Sequence, residues 1–246
     1  MLKEYTEQMI ISCGRGALLS CALAIRAQEP SPSASAVQAD TSEIPKDYEL
    51  GEESVSPDGR FALLYPVQDA GTRVVAGVPN VLVRLKPYAV LKEIGEDSVP
   101  RGRRGKPRAQ WANNSVVAIW IAAKWGSSDL WIYEIENDKV KRVHPVFKEA
   151  RKYFDRDFKQ RFLKKYPKEY AGYTFVSDWK EEAGERDFEF KGRTVLLNLN
   201  ADNKPNLAGG PHWTAELHAV WNLDTGKFDK IDFKPGEISD RPWLKQ

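Results

Sequence analysis

Glu216 and His218 stand two residues apart in a run that alternates apolar and polar side chains, His212-Trp213-Thr214-Ala215-Glu216-Leu217-His218-Ala219-Val220-Trp221. Period-2 alternation predicts a strand, with Trp213, Ala215, Leu217, Ala219, Trp221 and Leu223 on one face and His212, Thr214, Glu216 and His218 on the other. Neighbouring same-face positions lie about 6.6–6.8 Å apart, so Glu216 and His218 could converge on one ion, whereas His212 is roughly 20 Å from His218. A metal held there would need a third ligand from an adjacent strand and would activate a water for hydrolysis. The competing reading is the solvated polar face of a half-buried strand.

Other catalytic constellations are missing from the sequence. It has no Gly-x-Ser-x-Gly elbow, Walker loop or His-Glu-x-x-His pattern. His144, before Pro145, reads as a half-exposed residue at a strand end. The carboxylate pairs Asp155/Asp157, Glu181/Glu182 and Asp229/Asp232 fall in charge-rich stretches, where solvated side chains with ordinary acidity are expected. No cofactor is implied.

Positive charge is concentrated in two places. Arg101, Arg103, Arg104, Lys106 and Arg108 form a short basic loop with Gly102, Gly105 and Pro107. Residues 148–168 carry a second excess of Lys and Arg, interleaved with Tyr153, Phe154 and Phe158. Either could hold an acidic polymer of a cell envelope, or nucleic acid through the interleaved rings. Against nucleic acid stands the whole chain, whose 37 basic and 35 acidic residues nearly cancel. The bland alternative is an exposed loop and a solvated helix face.

These groups must be positioned by a soluble, globular chain. Its 246 residues are 41% apolar and 29% charged, with a mean hydropathy of −0.54. No run reaches the ~18 uncharged apolar residues of a membrane span. Residues 1–27 have a secretory layout: Lys3 and Arg15, an apolar Gly16–Ile25, and a cleavage site at Ala27 before Gln28. Both cysteines, Cys13 and Cys21, and both methionines lie inside this segment. The expected mature protein is therefore exported, periplasmic or extracellular, and contains no disulfide or thiolate. An ordinary amphipathic helix, or lipid attachment at Cys21, are the alternatives. Residues 28–46, rich in Pro, Ser and Ala, read as a disordered linker. A single β-rich domain is expected over residues 47–246.

Within that domain the eight tryptophans sit mostly in short apolar runs between turn residues, which predicts strands. Asp58-Gly59-Arg60 followed by Phe61–Tyr65 parallels Lys191-Gly192-Arg193 followed by Thr194–Asn198, and Trp111–Ser115 leads into Val116–Trp120 in the same way. Residues 135–143, 223–231 and, more roughly, 85–91 read as hairpins. Three units of paired strands follow, starting near Ser54, Trp111 and Arg193. Residues 146–166 interrupt them. There Phe147, Ala150, Phe154, Phe158, Phe162 and Tyr166 form one broad helical stripe, which predicts a partly exposed helix lying on a sheet.

Val55-Ser56-Pro57-Asp58-Gly59-Arg60-Phe61-Ala62-Leu63 resembles the turn-and-strand signature of TolB-type, WD-repeat-like β-propeller blades, and Asp129–Ile135 resembles an outer blade strand. The resemblance implies blade-like antiparallel meanders. A closed propeller has 4–8 blades and three are legible, so the expectation is an incomplete propeller, curved stacked sheets or a sandwich, with the one inserted helix. The function expected is an exported, non-catalytic scaffold or binding module that makes contact through loops at one end of the repeats. The alternatives are a metal-assisted hydrolase using Glu216 and His218, and a polyanion-binding envelope protein using the loop Arg101–Arg108.

Overall fold

Turn chemistry cuts the chain into short strands. In the computed structural model, which describes residues 39–67, 78–94, 108–121, 129–167, 188–202 and 212–239, these strands form three four-stranded antiparallel sheets. The first contains β1 (Tyr48–Val55), β2 (Phe61–Pro66), β3 (Asn80–Arg84) and β4 (Ala89–Ile94). The second contains β5 (Arg108–Asn113), β6 (Val116–Ile121), β7 (Asp129–Glu136) and β8 (Lys139–His144). The third contains β9 (Phe188–Lys191), β10 (Thr194–Asp202), β11 (His212–Asn222) and β12 (Lys227–Ser239). In every sheet each strand pairs with its neighbour in sequence, so each is a simple meander. The protein is mainly β, as expected.

The turns explain the registers. Gly59 (φ 72°) and Gly192 (φ 59°) take the left-handed conformation that an ordinary side chain resists. Asn137 and Asp138, at φ 50° and 56°, make the two-residue turn between β7 and β8. Ser56 is buried beside Gly59; its hydroxyl donates to Asp58 Oδ1 at 2.7 Å and accepts from the Phe61 amide at 3.0 Å. One backbone hydrogen bond occurs in all three sheets: Leu85, Ile135 and Leu223 each donate to a carbonyl of the preceding hairpin turn, on Arg60, Ser115 and Arg193. All these tight turns lie at one end of the strands, and the longer connections leave from the other.

The sheets pack through alternating faces. Phe61, Leu63 and Tyr65 of β2 meet Val117, Ile119, Tyr133 and Ile135 of the second sheet. Ala62 and Leu64 face the other way, against Ala39, Ile44 and Tyr48. A strand covered on both faces reads as a continuous apolar run, and Phe61–Tyr65 is one. The opposite side of the second sheet (Val116, Ala118, Leu130, Ile132) joins the helix and the inner face of the third sheet in the largest core. The outer face of the third sheet is polar, with Asn198, Asn200, Glu216, His218, Asp232 and Lys234 exposed.

Two expectations need correction, and the inserted helix gains a detail. Residues 39–46, read as linker, belong to the fold: Ala39 and Ile44 pack on the first sheet, and the Glu43 carboxylate accepts from the Tyr88 amide at 2.7 Å. The inserted helix is present as expected, and it changes pitch along its length. α1 (Val146–Asp157) passes into a π-helical turn at Phe158–Phe162 and ends in a short α2 (Leu163–Lys165). Apolar residues every four positions drift by ~40° per step at 3.6 residues per turn. A wider turn cancels the drift, so Phe158 and Phe162 stay buried and stacked with centroids 4.8 Å apart. Asp157, expected to be solvated, is 8% exposed. Arg161 donates to both its oxygens at 2.6 Å, and the Trp213 indole N–H donates to Oδ2 at 2.9 Å.

Candidate functional site

Of the basic loop, residues 101–107 lie outside the described residues. Arg108 opens β5 as an exposed side chain. Glu216 and His218 project from β11 as the alternation requires, with His218 Nε2 3.7 Å from Glu216 Oε2. His218 Nδ1 is 2.6 Å from Asn198 Oδ1, and Lys234 is the β12 partner of Glu216. Among the described residues no group of three His, Cys, Asp or Glu side chains is placed to hold a metal. No helix among them is long and apolar enough to cross a membrane.

His144 differs most from its expected surroundings, being 3% exposed rather than half-exposed. It stands at the end of β8 opposite Ile132, where the second and third sheets meet. The Trp221 indole N–H points to its Nδ1 at 3.4 Å, and Nε2 lies 2.8 Å from Glu134 Oε1. With Nδ1 accepting, the ring proton sits on Nε2 and is donated to Glu134. Glu134 in turn accepts from Arg193 at 2.7 Å, and Arg142 is 3.6 Å away. Arg142 also donates to the carbonyls of Leu223 and Asp224. Burial pushes the Glu134 carboxyl up, but the hydrogen bonds from Arg193 and His144 and the charges of Arg193 and Arg142 outweigh it, so its pKa lies below the ordinary value. This is a fully partnered polar clasp between two sheets.

Over the clasp lies an open groove of about 510 Å³ between α1 and the β11–β12 hairpin. The volume falls in the ~300–1,000 Å³ range of small-molecule sites. Glu149, Lys152, Tyr153 and Arg156 line it from the helix, and Trp221, Gly226, Lys227 and Phe228 from the hairpin. Helical spacing of three and four puts the first set on one flank of α1. Gly226, at φ 64°, lets the hairpin reverse beside His144. The rings form a ladder: Trp221 meets Phe228 edge-on at 4.8 Å, Phe228 meets Tyr153 at 6.1 Å, and the Arg156 guanidinium lies 5.1 Å from the Tyr153 ring centre. Lys152 is paired with Glu149 at 2.5 Å.

Part of this was signalled in the sequence, since Tyr153 and its basic neighbours belong to the second basic segment. Its partners Gly226–Phe228 carried no signal, because only the packing of α1 on the third sheet brings them near. Farther along α1, burial raises the Asp155 carboxyl above its usual range against the opposing charges of Arg151 and Lys159; ordinary acidity had been expected there. Compared with family models, curated proteins and solved structures, the chain matches none.

Proposed function

We propose that the protein is an exported, non-catalytic binding module whose ligand lies in the groove between α1 and the β11–β12 hairpin. The observation that carries this reading is the groove itself, where aromatic rings and cations meet at the surface over a buried clasp that holds the walls in place. Such groups recognise ligands rather than transform them. The one buried acid–base pair in the described chain, Glu134 with His144, has its atoms committed to Arg193 and Trp221. The Glu216–His218 pair is exposed, with an amide and a lysine as neighbours, which favours the solvated-face reading over a hydrolytic metal. The TolB-type resemblance and the face-to-face packing support treating the three meanders as units of one pattern. Export rests on the layout of residues 1–27.

The test is a titration of isotope-labelled protein with anionic, neutral and cationic ring compounds, followed by amide NMR shifts. At least one class is expected to move the amides of residues 149–156 and 226–228 in a saturable way. If every class leaves these amides unmoved, or if the saturable shifts gather elsewhere, the groove is not the binding site.

A further inference from the structure

Resting on the groove as the ligand site, we infer that its ligand is an acidic saccharide: a pyranose-sized ring carrying a carboxylate or sulfate. Charge sets the sign. Lys152 and Glu149 neutralise each other, whereas neither Arg156 nor Lys227 has a carboxylate partner among the described residues. Both are exposed at the groove wall, one on the helix and one on the hairpin, so an anion between them is drawn from two sides. The Arg156 guanidinium lies 5.1 Å from the Tyr153 ring centre, and its planar set of N–H donors suits a carboxylate or sulfate.

Ring chemistry sets the shape. Tyr153 and Phe228 are half-buried, offering apolar carbon at the surface without a deep slot. Trp221 is only 2% exposed and Tyr153 already carries the guanidinium, so two of the three rings have no open face on which a flat nucleobase could stack. A saccharide needs less: its C–H face packs on the exposed ring carbon, and its hydroxyls can bond to the Tyr153 phenol and the Glu149 carboxylate. An open groove also admits one unit of a longer chain.

The experiment uses the full chain and four probes: a hexagalacturonate, a heparin-derived hexasaccharide, neutral maltohexaose and oligothymidylate of six residues. Calorimetry gives affinity and amide NMR gives location, for the parent, Arg156→Gln, Lys227→Gln and a Lys234→Gln control on the outer face of the third sheet. At least one acidic saccharide is expected to bind at residues 152–156 and 226–228. Its affinity should fall by at least about tenfold in each groove variant, since a hydrogen bond to a charged group is lost, and should stay unchanged in the control. The galacturonate and heparin arms separate carboxylate from sulfate. Maltohexaose binding as tightly as the acidic probes, or oligothymidylate displacing them, overturns the saccharide assignment but leaves the groove as the site. If none of the four moves the groove amides, the assignment fails, and the ring-compound titration then decides whether the groove reading fails with it.

Discussion

Replacing Glu134 by Gln would open the clasp between the second and third sheets while keeping its shape. The carboxylate is 12% exposed on its side chain, and the Arg193 and Arg142 side chains are 43% and 41% exposed. Exposed ion pairs contribute ~0.2–1 kcal/mol, and breaking a fully buried one costs ~3–5 kcal/mol. A buried acid facing half-exposed cations lies between these limits, so Glu134→Gln should cost about 2 kcal/mol at neutral pH. For a domain of this size that lowers Tm by roughly 4–8 °C. The pH dependence has a definite sign. The native pKa of Glu134 lies below its ordinary value of 4.5, so its contribution is fully present above that value and is lost as pH falls through the native pKa. Urea unfolding of parent and variant should give a constant difference above about pH 5 and a shrinking one toward pH 3. A cost below about 0.5 kcal/mol at pH 7, or one that is the same at both ends of the series, would refute the clasp.

Phe154→Ala should be the more damaging change, by ~3–5 kcal/mol in denaturant unfolding, because the ring is 1% exposed and packs edge-on against Phe233 at 5.5 Å. Gly226→Ala should cost ~1 kcal/mol through its left-handed backbone alone, since the added carbon would meet His144 Nδ1 at an ordinary 3.7 Å; Asn at the same position should restore most of that loss. Expressed in a bacterium with an envelope, the protein should be recovered outside the cytoplasm beginning at Gln28, and N-terminal sequencing that returns Met1 from a cytoplasmic fraction would refute export.

Local rules made much of the fold legible. β2, β6 and β10 begin at Phe61, Val116 and Thr194, each after the polar or glycine turn that marked it. β11 buries Trp213, Ala215, Leu217, Ala219 and Trp221, the face that its alternation assigned to the core. What escaped depended on residues far apart in the chain. His144 is buried because Trp221, 77 positions later, closes over it. Asp157 is buried because Trp213, 56 positions later, supplies a donor that offsets its desolvation. The groove belongs to the same class, its two walls being separate elements that only tertiary packing joins. The π-helical turn is intermediate: the four-residue step of Phe154, Phe158 and Phe162 was visible, and its misfit with 3.6 residues per turn is the reason the helix widens.

The two outer surfaces of the stacked sheets are finished by different chemistry. At the first sheet the chain covers its own apolar plate with Ala39 and Ile44 from the segment before β1. At the third, Asn198, Glu216, His218 and Lys234 present groups that would have to shed water before another plate could settle there. That dehydration cost opposes the docking of a further sheet, and β10–β12 imposes it with side chains alone. Exchanging that polar row for valine and isoleucine would turn a hydrated face into a contiguous apolar one, the kind of surface on which protein chains associate.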